Sequence, residues 1–139
     1  MIVVDASAAI RWFVAARSGG EPYTFPQVSQ PLVAPDLFLA DIRSAALSYL
    51  RKRTLELDQI QGMITTIDRL VTGYFPLEGL TEDAWTMSLE FDHSVYDCFY
   101  VALAVQLNSY LVTADEHTLR KFAATTHSNR MVHVADWKP

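Results

Sequence analysis

Short apolar runs alternate with longer amphipathic segments along this chain of 139 residues. The short runs are rich in β-branched residues and contain no Asp, Glu, Lys or Arg, which is typical of strands buried on both faces of a sheet. The predicted strands are Met1–Val4, Leu32–Ala34, Tyr74–Leu77, Tyr110–Thr113 and Met131–Val134. Because Pro76 cannot donate a ladder hydrogen bond, the third of them is predicted to be an edge strand.

The segments between the strands repeat their apolar residues at helical spacing. The predicted helices are Ala6–Ala16, a segment that enters at Pro35-Asp36 and ends at Arg53, Asp58 to about Val71, Thr81–Phe91, Val95–Leu107 and Glu116–Ala124. The fifth of these is apolar almost all round, which predicts a buried helix. In the second helix, the residues predicted to share the buried face are Leu39, Ile42, Ala46 and Leu50.

Residues at the segment ends predict where helices begin and stop. Ser7 is available to cap the free amides of the first helix, and Asp58 followed by Gln61 fits a capping pattern for the third. The stretch Arg17–Gln30 contains two glycines and two prolines, so it is predicted to be a loop or a loosely helical excursion.

Strands that alternate with helices predict an α/β fold, because parallel strands need long crossover connections, which are usually helical. The sequence therefore predicts one domain over residues 1–139, with a largely parallel sheet that helices cover on both faces. No change of composition marks a linker, and no internal repeat is visible.

Composition narrows the class of protein. The formal net charge of −5 argues against a protein that coats nucleic acid, whereas a nuclease stays open because metal-binding carboxylates themselves make a chain acidic. The single cysteine, Cys98, rules out an internal disulfide or a cysteine-based zinc site and suits a reducing cytosol. No apolar run is long enough for a membrane helix and the N-terminus is unlike a signal peptide, so a cytoplasmic protein is expected.

Four aspartates each interrupt an apolar context. Asp5 ends the first predicted strand, and Asp115 closely follows the fourth. Because ligands of a parallel sheet bind at the carboxyl ends of its strands, these two acids are predicted to lie close together. Asp97 is the only charged residue of the predicted buried helix, and Asp41 lies one turn inside another helix, off its apolar stripe.

Each acid also has a simpler structural interpretation. Asp5 and Asp115 can cap the helices that follow them, the dipole of its helix can favour Asp97, and Asp41 can be a surface residue. Converging carboxylates repel and raise one another's pKa, however, and such a cluster is stable mainly when a divalent cation neutralises it. Ligands that are all oxygens predict Mg²⁺ or Mn²⁺ rather than zinc.

Four segments together, "IVVDASAAI", "APDLFLADI", "SVYDCFYVALA" and "LVTADE", resemble the PIN domain in order and spacing. More narrowly, the chain resembles the VapC-type toxins of bacterial toxin–antitoxin pairs. The resemblance spans essentially the whole chain, and its "YDxxYVALA" and "LVTAD" pieces are fairly specific in combination. It implies a five-stranded, mainly parallel sheet flanked by helices, and a Mg²⁺-dependent endoribonuclease whose products carry a 5′-phosphate and a 3′-hydroxyl.

Carried over position by position, the resemblance implies an acidic site, whose residues are Asp5, Asp41, Asp97 and Asp115. The implied ligands of Mg²⁺, for which Mn²⁺ can substitute, are Asp5, Asp97 and Asp115. Asp41 and Glu116 are further candidate ligands. Ser7 and Thr113 are implied to be hydroxyl-bearing neighbours of the site.

The chain departs from the family at two positions. The family usually has Glu where this chain has Asp41, whose side chain is one methylene shorter and is expected to reach a metal only through water. An acid or Asn often follows the last Asp of the family, and here Glu116 and His117 follow it. The alternative function is therefore a catalytically impaired PIN-like module that acts by binding protein or RNA.

The partners that the resemblance implies are an RNA substrate, a small antitoxin whose tail occludes the site, and a second copy of the chain in a homodimer. Candidate contacts to RNA are Arg11, His93, Arg120 and Lys121. The four histidines show no metal-ligand spacing and are predicted to be surface or partner residues, although His93 lies next to the "SVYD" turn.

Overall fold

The structure is a computed structural model in which residues 1–18 and 28–138 are described. All five predicted strands are present: β1 (Ile2–Val4), β2 (Leu32–Pro35), β3 (Val71–Phe75), β4 (Leu111–Thr113) and β5 (Met131–His133). Most of the predicted loop Arg17–Gln30 lies outside the described residues.

All six predicted helices are present too. They are α1 (Ala6–Ser18), α2 (Leu37–Arg51), α3 (Leu57–Leu70), α4 (Thr81–Phe91), α5 (Val95–Gln106) and α6 (Glu116–Phe122), with short 3₁₀ turns at Leu77–Gly79 and Ser128–Arg130. The bounds of α4 are those predicted, and α1 continues past its predicted end at Ala16. Within the described ranges, no helix has both the length and the apolar character needed to span a bilayer.

The strands form one sheet in the order β3-β2-β1-β4-β5, and each neighbouring pair is parallel. From β1 the chain moves outward to β2 and β3, and then returns to the other side of β1 for β4 and β5. Strand order therefore reverses between β1 and β4. In open parallel sheets, ligands bind in the crevice outside the carboxyl ends of the strands at this reversal.

Every residue of β1, β2 and β4 is buried. Because successive side chains of a strand point to opposite faces, helices must cover both faces of the sheet. Helix α5 packs against all three of these strands, and its residues from Cys98 to Ala104 are all buried. The prediction of a buried fifth helix and a parallel, doubly covered sheet is confirmed.

The predicted buried face of α2 is wrong at its first position. Leu39 is 37% exposed, whereas the neighbouring Phe38 is fully buried and shares the inner face with Ile42 and Ala46. Leu50 is half-buried. Two adjacent apolar residues fit the same helical pattern, and the larger ring of Phe38 packs inward, where it contacts Tyr74 of β3 with the ring centroids 6.3 Å apart.

The start of α3 and the limits of β3 also differ from the prediction. Helix α3 begins at Leu57 rather than Asp58, and the side chain of Gln59, not Gln61, accepts a hydrogen bond from the backbone N–H of Glu56 at 2.9 Å. Strand β3 follows α3 without a connecting loop, because Val71 already pairs with Leu32. It ends before Pro76 and lies at the edge of the sheet, as predicted.

The correction on α2 gives a stability prediction. Phe38→Ala should lower the free energy of unfolding by about 3–5 kcal/mol, because the truncation leaves a cavity in a fully buried site. Leu39→Ala, one position away, should cost about 0.5 kcal/mol or less because that side chain is already exposed. Urea denaturation followed by circular dichroism measures both values. Equal losses for the two variants would contradict the assigned face of α2.

Candidate acidic active site

A cleft with a volume of about 810 Å³ opens beyond the carboxyl ends of β1 and β4. Its walls come from α1, α2, α5 and the first residues after the two strands. The four acidic residues expected at the site all line this cleft; they are Asp5, Asp41, Asp97 and Asp115. The structure thus brings together side chains that lie far apart in the sequence.

Asp5 is held by three hydrogen bonds at the point where β1 passes into α1. Its Oδ1 accepts from the Ser7 hydroxyl at 2.6 Å and from the backbone N–H of Ala8 at 2.9 Å. Its Oδ2 accepts from the Thr113 hydroxyl. Asp5 therefore caps α1. The prediction that Ser7 has this role is wrong, because Ser7 lies inside the helix and its hydroxyl donates to the Asp5 carboxylate.

Ser7 and Thr113 also join the ends of β1 and β4. The Ser7 Oγ accepts the backbone N–H of Ala114 at 2.9 Å, and the Thr113 Oγ1 accepts that of Asp115 at 3.0 Å. The two hydroxyl oxygens are 3.3 Å apart. Both hydroxyls donate to Asp5; Ser7 accepts from the residue that follows β4, and Thr113 donates to Asp5 from β4 itself, which fixes the carboxylate relative to β4.

Asp115 is the N-cap of α6. Its Oδ1 accepts the N–H groups of His117 at 3.0 Å and Thr118 at 3.4 Å, and its Oδ2 accepts the Thr118 hydroxyl at 2.9 Å. Asp5 and Asp115 thus each accept three hydrogen bonds. Because a carboxylate offers about four lone-pair positions, each has one position left for a further ligand.

Asp41 is partly buried on α2 and is not a simple surface residue. The hydroxyl of Tyr100, on α5, donates to its Oδ2 at 2.5 Å. The Tyr100 side chain is itself 3% exposed and lines the cleft. Tyr100 is not among the residues predicted for the site, although its position three residues after Asp97, one turn along the same face of α5, indicates that it can reach the site.

Asp97 lies in the first turn of α5, with 37% of its side chain exposed. Its Oδ2 is 3.1 Å from the Nε2 of His93, a residue that is buried and does not line the cleft. The prediction that the histidines are surface or partner residues is therefore wrong for His93. The imidazole lies behind Asp97, because the turn between α4 and α5 folds it inward.

Three carboxylates of the cleft have raised pKa values. Burial raises the pKa of Asp5 from 3.8 to about 6, with the charge of Asp115 adding to the effect and the three hydrogen bonds opposing it. Burial also raises the pKa of Asp41, against the hydrogen bond from Tyr100. The pKa of Asp97 is raised by burial and by the charges of Asp115 and Asp41, while His93 and Thr118 lower it.

Of the remaining residues predicted for the site or for RNA contacts, only one lines the cleft. Arg11 is exposed on α1 and lines the cleft, so it is placed where a phosphate could bind. Glu116 and Arg120 are exposed on α6, with Glu116 Oε2 and Arg120 Nη1 4.0 Å apart, and neither lines the cleft. Lys121 is partly buried on the same helix, away from the cleft lining.

The donor chemistry of the cleft fits a hard divalent cation, since its acidic side chains offer oxygen only. Among residues 1–18 and 28–138, however, no three Asp, Glu, His or Cys side chains are arranged so that they could hold a metal ion as they stand. The acids share one cleft, but their carboxylates are too far apart to coordinate one cation together. Joint binding of a cation by three of them therefore requires their side chains to move closer together.

Thr118 is a second residue beside the site that sequence reasoning missed. It is 2% exposed and connects Asp115 with His93. Its position three residues after Asp115, in the first turn of α6, places its hydroxyl 2.9 Å from the capping carboxylate.

The reversal of strand order and the acidic cleft beside it are the arrangement expected of a PIN domain. No family model matches the chain. It is 35% identical over 115 residues to the VapC ribonuclease Mb0985 of Mycobacterium bovis and to ribonuclease VapC9 of Mycobacterium tuberculosis. The aligned region covers 83% of this chain and 86% of each relative. Ribonuclease VapC3 of Pyrobaculum aerophilum is 26% identical over 125 residues, 88% of this chain and 95% of the relative. The chain belongs to the VapC ribonuclease family.

Two solved structures share the fold. The crystal structure of PAE2754 from Pyrobaculum aerophilum has a TM-score of 0.66 at 18% identity, covering 96% of this chain and 83% of that one. A toxin–antitoxin complex from Klebsiella pneumoniae has a TM-score of 0.59 at 14% identity, covering all of both chains. The predicted α/β fold of the PIN type, with five parallel strands, is confirmed.

The raised pKa of Asp5 gives a pH prediction for the metal-free protein. Between pH 3.8 and about 6 the native state holds a proton on Asp5 that the unfolded state has released. The free energy of unfolding should therefore fall as the pH rises through this window, by on the order of 2–3 kcal/mol from this group. Urea denaturation in chelator-treated buffers between pH 4 and pH 7 measures the slope.

The variant Asp5→Asn should make that slope shallower, because one titrating group is gone while Asp41 and Asp97, whose pKa values are also raised, remain. Asp58→Asn, on the exposed first turn of α3 and outside the cleft, should retain the wild-type slope. Identical slopes for the wild type and Asp5→Asn would show that the titration of Asp5 does not lower the free energy of unfolding.

Proposed function

We propose that this protein is a Mg²⁺-dependent endoribonuclease that acts as the toxin of a toxin–antitoxin pair. The observation that carries the proposal is the convergence of Asp5, Asp41, Asp97 and Asp115 on one cleft at the reversal of strand order. Membership of the VapC ribonuclease family supports RNA as the substrate. The toxin–antitoxin complex among the structural neighbours supports an antitoxin as partner.

Three carboxylates are the proposed ligands of the cation. Asp5 and Asp115 each keep one lone-pair position beside the junction of β1 and β4, and Asp97 faces the same cleft from α5. Asp41 is proposed to act through water, because its side chain is short and Tyr100 already holds one of its oxygens. Oxygen-only ligands favour Mg²⁺, with Mn²⁺ as a substitute.

When bound, a divalent cation supplies a water of lowered pKa and neutralises charge on the phosphate under attack. The protein's own residues then have distinct tasks. Ser7 and Thr113 hold Asp5 in one orientation through hydrogen bonds that also tie β1 to β4. Arg11, exposed at the cleft, is placed to bind a phosphate of the RNA backbone. The acids repel a polyanion until their charge is neutralised, which makes RNA binding depend on the metal.

The alternative function, a binding module with impaired catalysis, lacks an observation in its favour: all four acids line the cleft and the similar proteins are named ribonucleases. The homodimer and the cytoplasmic location stay predictions. So do RNA contacts through Arg120 and Lys121, which lie on α6 away from the cleft lining.

Metal dependence is the first test. Cleavage of a structured RNA should require Mg²⁺ or Mn²⁺, stop in EDTA, and fall by orders of magnitude in Asp97→Asn. Added Mg²⁺ should stabilise the wild type through linkage, by about 2.7 kcal/mol at about 100 times the Kd, and stabilise Asp97→Asn much less. In EDTA, Asp97→Asn should melt at the same or a higher temperature than the wild type, because one repelling charge is removed.

Asp83→Asn is the matched control. Asp83 is the third residue of α4, as Asp97 is of α5, and it lies outside the cleft. This variant should cleave RNA and respond to Mg²⁺ like the wild type. Cleavage that continues in EDTA would overturn the proposed chemistry. If Mg²⁺ stabilised Asp97→Asn as much as Asp83→Asn, Asp97 would be only a structural residue of its helix.

The shortened acid at position 41 gives a second test. Asp41→Glu should retain or increase cleavage, because the extra methylene lets the carboxylate extend into the cleft, and Asp41→Ala should reduce it. Initial rates at saturating Mg²⁺ compare the three proteins. Equal rates in all three would mean that Asp41 takes no part in the reaction, and the carboxylate would then serve only as the acceptor for Tyr100.

A further inference from the structure

His93 is a buried imidazole at the turn between α4 and α5, immediately behind the acidic cleft. It is 7% exposed, so it offers almost no surface to an RNA strand. Its backbone is tied to the end of α4 from both sides. The Ser88 hydroxyl donates to its carbonyl oxygen at 2.6 Å, and its N–H donates to the Ser88 carbonyl at 3.3 Å.

The preceding residue makes this turn sharp. Asp92 has a φ of 49°, in the left-handed region that ends a helix. The chain therefore reverses direction directly before His93, and the imidazole points inward toward α6. Its ring lies against those of His117 and Phe122, with centroids 5.1 Å and 5.8 Å away.

The Nε2 atom of His93 lies between two hydrogen-bond acceptors. It is 2.9 Å from Thr118 Oγ1 and 3.1 Å from Asp97 Oδ2. The direction of the first bond follows from the proton count: the single hydroxyl proton of Thr118 is donated to Asp115, so the Thr118 oxygen accepts from Nε2–H. One N–H group thus faces Asp97 directly and Asp115 through Thr118.

We propose that His93 is a positioning residue that fixes Asp97 and Asp115 relative to one another, so that both carboxylates can bind the same cation. The inference rests on the proposed metal-dependent function. Its physical basis is that two ligands on separate helices, α5 and the start of α6, share a single buried donor anchored to a third helix, α4. Groups behind metal ligands orient them, and their loss typically costs about 10- to 100-fold in metal affinity or activity.

This role differs from two others that the position allows. A substrate contact needs an accessible ring, and His93 is buried. A purely structural core residue stabilises the fold through packing alone and has no influence on metal affinity once the fold is intact. The decisive quantity is therefore the affinity for the metal, measured separately from stability and from RNA binding.

The experiment compares His93→Phe, which keeps a ring of similar size but has no donor, with His93→Gln, whose amide can donate from a similar position. Calorimetric titration with Mn²⁺ should give a Kd raised about 10- to 100-fold in His93→Phe and substantially restored in His93→Gln. Thr118→Val, which is nearly isosteric, should also raise the Kd because it breaks the link to Asp115. If His93→Phe fails to fold, His93→Leu, which also lacks a donor, takes its place.

His127→Phe is the matched control. His127 contacts the rings of Phe91 and Phe122, with centroids 5.8 Å and 6.3 Å away, and does not line the cleft. It should bind Mn²⁺ like the wild type. In cleavage assays, the Mn²⁺ concentration for half activation should rise in His93→Phe while the KM for RNA at saturating metal stays unchanged.

The outcomes separate the two levels of the proposal. A wild type that does not bind Mn²⁺ would overturn the proposed function itself. A wild type that binds Mn²⁺ together with folded His93→Phe and Thr118→Val variants of unchanged Kd would overturn the positioning role alone. A raised KM for RNA with unchanged Mn²⁺ affinity would assign His93 to substrate binding instead. Failure of His93→Gln to restore the Mn²⁺ affinity would show that the Nε2 donor is not what orients the two carboxylates, which would also overturn the positioning role.

Discussion

The parallel pairing of β1 with β4 is the contact on which the candidate site depends. It sets Val4 beside Val112, so that the chain leaves both strands at the same edge of the sheet. Asp5 and Asp115 follow at that edge, and they share it only because the chain returns to the far side of β1 before forming β4. The hydroxyls at the junction also fix the orientation of the Asp5 carboxylate. Ser7, for example, donates to Asp5 after β1 and accepts from Ala114 after β4.

Capping of helices and formation of an acidic site are not competing explanations of these residues. Asp5 accepts an N–H at the start of α1, Asp97 lies in the first turn of α5, and Asp115 caps α6. Three helix N-termini therefore meet the cleft, and their partial positive charge makes the carboxylates tolerable there. It does not neutralise them, because burial and mutual repulsion still raise the pKa values of Asp5 and Asp97. The remaining negative charge is what a divalent cation can balance.

The sequence allowed the acids to be predicted because each one interrupts an apolar segment whose strand or helix is itself easy to recognise. It did not allow the prediction of which apolar residue of α2 points inward, since Phe38 and Leu39 fit the pattern equally and only packing against the sheet decides between them. The supporting contacts were hidden for another reason. His93 and Thr118 are 25 positions apart, and the pair Tyr100 and Asp41 is 59 apart, so no local pattern links them.

The supporting contacts divide the four acids into two kinds. Asp5 and Asp115 are held by backbone N–H groups and by hydroxyls next to them in the fold, so their positions follow those of the strands. Asp41 is instead held by one side chain from another helix, Tyr100, and Asp97 by side chains outside its own helix, His93 and Thr118.

A carboxylate held by one side chain can rotate at lower cost than one held by three donors. The strand-end pair is therefore the fixed part of the site, and Asp41, held by Tyr100 alone, is the adjustable one. Closing the cleft around a cation requires Asp41 and Asp97 to approach the strand-end pair, and the packing of α5 between the sheet and α4 limits how far that approach can go.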